Sequence, residues 1–95
     1  MVMMTDGPKS FEWDDAKSDA CFEERGFSFA DVLIIFAGPV IERPDDRKDY
    51  GEPRIRAAGL IEGVPFMVVY TPRGDSLRII SARKMHRKEW LKWQE

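Results

Sequence analysis

The stretch "VPFMVVYTPRGDSLRIISARK", Val64 to Lys84, decides the fold. "VPFMVVYT" is apolar almost throughout, as a strand buried on both faces must be. "PRGD" is a turn signal, and "SLRIISAR" is a further strand. Upstream, "EPRIRAAGL" sets Arg54 and Arg56 against Ile55 and Ala57, the alternation of a strand with one polar face, and "IEG" turns the chain into Val64. Three successive strands with short turns predict an antiparallel meander. Its last strand is heavily basic. Strict alternation there puts Leu77, Ile79, Ser81 and Arg83 on one face and Arg78, Ile80, Ala82 and Lys84 on the other, so Arg78 and Arg83 are expected on opposite faces.

Working outward, "FEWDDAK" opens with a short strand around Phe11 and Trp13. Asp14 then suits a helix N-cap, with Asp15 in the first turn. This helix runs through "DAKSDACFEER" and stops at Gly26, which takes the left-handed conformation without steric cost. "FSFADVLIIF" predicts a second helix capped by Ser28 and ended by "AGP" at 37 to 39. A short edge strand, Val40 to Arg43, and an exposed loop follow. "MHRKEWLKWQE" predicts a C-terminal helix resting partly on the sheet through Trp90, Leu91 and Trp93. The expected architecture is α+β: an antiparallel sheet with two N-terminal helices on one face and a C-terminal helix, leaving a face free for work. Residues 1–10 are expected to be a flexible segment and residues 11–95 a single domain.

Composition agrees with that scale. A chain of 95 residues builds one domain with a modest core, and 43% hydrophobic with 34% charged residues suits a globular protein. Cys21 is the single cysteine, which excludes an internal disulfide and a cysteine-framed zinc site and makes a reducing, cytoplasmic setting the simplest expectation. "MVMMTDGPKS" has no apolar signal-like core, and no stretch approaches the roughly 18 apolar residues of a membrane span, so no membrane role is expected. The net charge of −2 hides an asymmetry. From Arg73 to Lys92, seven Lys or Arg face two acids, a local excess of five positive charges that leaves −7 for the remainder. Such a division fits a basic working surface beside an acidic one, although a solvated helix face also accounts for a charge run.

Taken in order, "FEWDDAK", "RGFSF", "DDRKDYGEPR", "VVYT" and "RIISARK" resemble the BrnT family of toxins from type II toxin-antitoxin systems. The resemblance covers almost the whole chain after residue 10. It implies a RelE-like fold, a ribonuclease that arrests translation, and neutralisation by a DNA-binding antitoxin, BrnA. One departure stands out. Where the family has Asn and then Lys-His before the glycine that ends the first helix, this chain has Cys21, Glu24 and Arg25.

Metal-independent RNA cleavage needs a base for the 2′-hydroxyl proton, an acid for the leaving 5′-oxygen, and cations for the phosphorane charge. The sequence is rich in the last. Arg83, Lys84, His86 and Glu52 are the candidate catalytic residues: two cations, the sole imidazole, and a carboxylate beside Gly51. Arg54, Arg78 and Arg87 are candidates for RNA binding, since a guanidinium offers phosphate two parallel hydrogen bonds. Trp90 and Trp93 are candidates for partner binding, while Trp13 suits a core. No cofactor or metal is expected, because the acids of "DDR" form no defined ligand set. Bland readings stand beside these: Arg78 in a salt bridge to Glu52 or Asp46, His86 as an inert surface residue, and the whole chain as a non-catalytic module that binds an antitoxin or RNA.

Overall fold

The computed structural model describes residues 10–95. In chain order the elements are β1 (Ser10–Trp13), α1 (Asp15–Arg25), α2 (Phe29–Val32) running into a 3-10 helix (Leu33–Ala37), β2 (Ile41–Pro44), β3 (Ile55–Ile61), β4 (Val64–Arg73), β5 (Ser76–Lys84) and α3 (Arg87–Trp93). The expected flexible segment lies outside the described residues except for Ser10, which opens β1.

All five strands join one sheet in the order β1-β5-β4-β3-β2. The meander β3-β4-β5 is antiparallel, with two-residue turns at Glu62–Gly63 (φ 51° and 82°) and at Gly74–Asp75 (φ 59° at Gly74). Positive φ is what lets such turns match the strand twist. β1 instead pairs with β5 in parallel, Ser10 opposite Ser76 and Trp13 opposite Ile79, so the sheet is mixed and not wholly antiparallel. Turn signals report hairpins between neighbours in sequence. They carry no information on a pairing between the first strand and the last.

α1 begins at Asp14, whose carboxylate accepts from the Lys17 backbone N–H, and ends at Gly26 with φ 87°. The second helix is shorter than expected: a Ser28–Asp31 capping box starts one α-turn, which tightens into the 3-10 helix. β2 lies one residue later than expected, at Ile41–Pro44.

The main core lies between the sheet and α1, α2 and the 3-10 helix. It gathers Cys21, Phe27, Phe29, Val32 and Ile35 from the helical layer and Ala57, Phe66, Val68, Tyr70, Ile79 and Ala82 from the strands. A second cluster of Ala58, Met67, Met85 and Trp93, with Ile41 and Trp90, lies on the opposite face. α3 therefore covers part of the face expected to be free. β4 is apolar on both sides for this reason, and Phe66 through Thr71 are all buried.

The β4–β5 register breaks once. Val69 pairs with Ser81 but Tyr70 pairs with Ile79, leaving Ile80 as an extra residue, a β-bulge. Two rows then cross the second face, Ile41–Ala58–Met67–Arg83 and Arg43–Arg56–Val69–Ser81, and Arg78 joins it beside Thr71 and Glu12. Arg78 and Arg83 thus share a face, contrary to strict alternation. The physical gain is clear: the bulge sends Ala82 into the core, where unbroken alternation would send Arg83, and an unpaired buried charge is costly.

Gly59 marks a close approach of the 3-10 helix to β3. A Cβ there would stand 2.9 Å from the Ile35 Cβ and 3.3 Å from the Val40 Cγ1. Neither neighbour is the free end of a flexible side chain. Gly59→Ala is therefore expected to destabilise the chain by about 1–3 kcal/mol through overpacking, and thermal unfolding that matches the wild type would show that the helical layer yields without cost.

Candidate functional site

The basic side chains fall into two neighbouring groups. On the second sheet face Arg43, Arg56, Arg78 and Arg83 project from three strands, β2, β3 and β5, with Arg54 just before β3. Each has an internal partner. The Arg43 and Arg56 guanidinium groups lie 4.6 and 5.2 Å from the Trp93 ring centroid, and Arg43 also donates to the Trp93 carbonyl at 3.0 Å. Arg54 stacks on Tyr50 at 4.0 Å and lies 3.8 Å from Glu52. Arg78 reaches Glu12 at 3.3 Å. Arg83 makes a two-pronged bond to Glu89, at 2.9 and 2.7 Å. Val69 and Thr71, on the same face, are buried among them.

The second group sits at the strand end. β1 pairs with β5 only as far as Ile79, so Ile80–Lys84 presents an open edge toward α1. The last turn of α1 closes on it: Arg25 donates to the Ala82 carbonyl at 2.6 Å and the Cys21 thiol approaches the same oxygen at 3.7 Å. Burial raises the Cys21 pKa, against the opposing pull of Arg25. A shallow cleft of about 360 Å³ lies beside this edge, lined by Arg25, Phe27, Arg83 and Lys84. It holds three cations and one aromatic ring.

Of the residues expected at a site, Arg83 and Lys84 meet in this cleft. His86 is the exposed N-cap residue of α3 and makes no side-chain capping bond, and Arg87 is exposed beside it. Glu52 stands apart, bound to Arg54 and Arg73. Met67 pairs with Arg83, and Arg73 lies farther along β4 by roughly 20 Å at ~3.3 Å per residue, so Glu52 is at the far end of the sheet from the cleft. It cannot serve as base to a phosphate held by Arg83. Arg78 is paired with Glu12 and not with Glu52 or Asp46. Trp93, expected at a partner surface, is buried between Arg43 and Arg56; Trp90 is half-buried and lines a separate apolar hollow with Ile41 and Leu60. Sequence reasoning treated Arg25 only as a departure and passed over Glu89. Arg25's position immediately before a helix-stopping glycine was the available signal for the first. For Glu89 there was its place as the third residue of α3, where a carboxylate turns back toward the helix start.

Two further carboxyl groups complete the electrostatics. Tyr70 donates its hydroxyl proton to Glu42, and burial followed by this bond raises the phenol's pKa. Asp45 is buried and accepts from Arg47 at 2.7 and 2.9 Å. Among the described residues no group of three or more His, Cys, Asp or Glu is placed to hold a metal ion, and no helix is long and apolar enough to cross a membrane.

The chain is thus a small α+β domain with three cations, Arg25, Arg83 and Lys84, gathered beside an open strand edge. The family model for BrnT, the ribonuclease toxin of a type II toxin-antitoxin system, matches residues 13–89. The chain belongs to the BrnT family. No curated protein matches it.

The arginine pairs make stability depend on acid. Hydrogen bonds from Arg47 hold Asp45 below its ordinary range, and those from Arg83 do the same for Glu89. In the unfolded chain these groups titrate near ~3.9 and ~4.3. A lowered folded-state pKa contributes stability that is complete above the unfolded value and is lost as pH falls through the folded value. Urea midpoints are thus expected to hold steady down to about pH 5 and to fall below about pH 4. Asp45→Asn should start less stable and lose less on acidification; an acid limb as steep as that of the wild type would remove the Asp45–Arg47 pair from this account.

Proposed function

We propose that the chain is an endoribonuclease toxin of RelE-like fold that cleaves RNA without a metal ion and so inhibits translation, and that a BrnA-like antitoxin neutralises it. The observation that carries this reading is the convergence of Arg25, Arg83 and Lys84 on the cleft beside the open edge of β5. Three cations at one strand end offset the negative charge that a pentacoordinate phosphorane develops. In the cleavage itself the 2′-oxygen bonds to phosphorus, its proton passes to a base, the P–O5′ bond breaks, and the 5′-oxygen takes a proton. Phe27, largely buried, forms an apolar floor to the cleft.

The substitution of Glu24-Arg25 for the family's Lys-His acquires a meaning here. Position 25 lies at the cleft, so Arg25 keeps a positive charge where relatives carry imidazole, while the acid-base role that an imidazole fills is left to other groups. His86, at the start of α3, is the remaining imidazole. For the antitoxin, half-buried Trp90 with exposed Leu91, Lys88 and Lys92 offers an apolar and basic surface suited to an acidic amphipathic segment. Commitment of Arg25 to the Ala82 carbonyl favours the second reading, a module that binds RNA or antitoxin without cutting.

Purified protein is expected to cleave single-stranded RNA with chelator present. Arg83→Ala should lower the rate by about 10²–10³-fold, the scale of losing one preorganised charge donor, with unchanged circular dichroism. Full cleavage by that variant removes Arg83 from the mechanism; RNA binding without cleavage by the wild type selects the non-catalytic module.

A further inference from the structure

The contacts of Arg83 leave one edge of its guanidinium unused. Nη1 and Nη2 point end-on at the two Glu89 carboxylate oxygens, at 2.9 and 2.7 Å, and Nη1 also donates to the Lys84 carbonyl at 3.3 Å. An arginine carries five N–H donors in a fixed plane. These three bonds occupy both protons of Nη1 and one of Nη2. The remaining two, on Nε and Nη2, lie side by side along the other edge and have no protein partner among the described residues. The side chain is 42% exposed.

Glu89 is itself held in place. α3 is anchored at its far end by Trp93 between Arg43 and Arg56, and at its near end by the Met85 backbone N–H donating to the Pro65 carbonyl at 2.9 Å. Arg78, by contrast, has a single 3.3 Å contact to Glu12. A guanidinium fixed along one edge keeps its other edge in a constant direction, which is what bidentate recognition of two phosphate oxygens requires.

We propose that Glu89 is the positioning residue that turns the Nε–Nη2 edge of Arg83 toward a phosphodiester of the RNA substrate. This rests on the reading of the chain as an RNA-cleaving toxin with Arg83 at its cleft. Glu89 touches no substrate. It acts through Arg83, and its removal costs orientation while leaving Arg83 present.

The test is a cycle of four proteins: wild type, Glu89→Gln, Arg83→Ala and the double variant, with thermal unfolding measured for each. Cleavage of single-stranded RNA is followed for kcat and KM, and affinity for an uncleavable 2′-O-methyl RNA oligonucleotide is measured in parallel. Glu89→Gln is expected to lower kcat about tenfold with a smaller change in KM, and to have no further effect on cleavage or affinity once Arg83 is Ala, because the two residues act as one unit. Wild-type or faster cleavage by Glu89→Gln overturns the proposal, as does an equal loss in both backgrounds, which marks a purely structural role. If Arg83→Ala cleaves and binds like the wild type, or the wild type neither cleaves nor binds RNA, the proposed function falls and this inference with it. If Arg83→Ala is impaired and Glu89→Gln is not, only the inference falls.

Discussion

One extra residue in β5, Ile80, sets the relation between the core and the charged surface. A β-strand turns its side chains to alternate faces, so a one-residue slip exchanges the faces of everything beyond it. In "LRIISARK" the apolar positions Leu77 and Ile79 keep one parity and Ala82 keeps the other. Without a bulge the strand could not serve both halves: either Ala82 or Ile79 would leave the core and an arginine would enter it. Ile79 is 1% exposed and Ala82 likewise, so the core holds both. The insertion at Ile80 reconciles them.

Consequences reach the surface. Because the parity changes between Ile79 and Ala82, Arg78 and Arg83 emerge on the same face, where Arg43 and Arg56 already project from β2 and β3. Cationic groups gathered this way repel one another, and the fold answers with acids from its periphery: Glu12 on β1, Glu52 in the loop before β3, Glu89 on α3. Two arginines use an aromatic ring in place of an acid, closing on Trp93. Exposed ion pairs of this sort contribute about 0–1 kcal/mol each. They also fix the directions in which the guanidinium groups point.

The helices at Asp14 and Ser28, the stop at Gly26 and the β3-β4-β5 meander were legible because caps, turns and hydrophobic periods are local signals. So was the family, through five short motifs kept in order. Three features were not. The parallel β1–β5 pair joins the two ends of the chain, and no turn residue announces it. The bulge follows from competition between core burial of Ala82 and of Ile79, which strict alternation along one strand conceals. The placement of α3 on the second face buried Trp93 and supplied Glu89, both consequences of packing. Arg83 and Lys84, which line the candidate cleft, stood out by their charge. Arg25 joined them only once α1 was docked on the open edge of β5, and Glu52, close in sequence to Arg54, proved to lie at the far end of the sheet.

Cross-strand nuclear Overhauser effects along β4 and β5 test the bulge most directly. Contacts pairing Thr71 with Arg78, Tyr70 with Ile79 and Val69 with Ser81, leaving Ile80 without an opposite residue, are the predicted result. An unbroken ladder that pairs Tyr70 with Ile80 and Thr71 with Ile79 would contradict it, since Arg78 and Arg83 would then stand on opposite faces and the shared arginine surface would not exist.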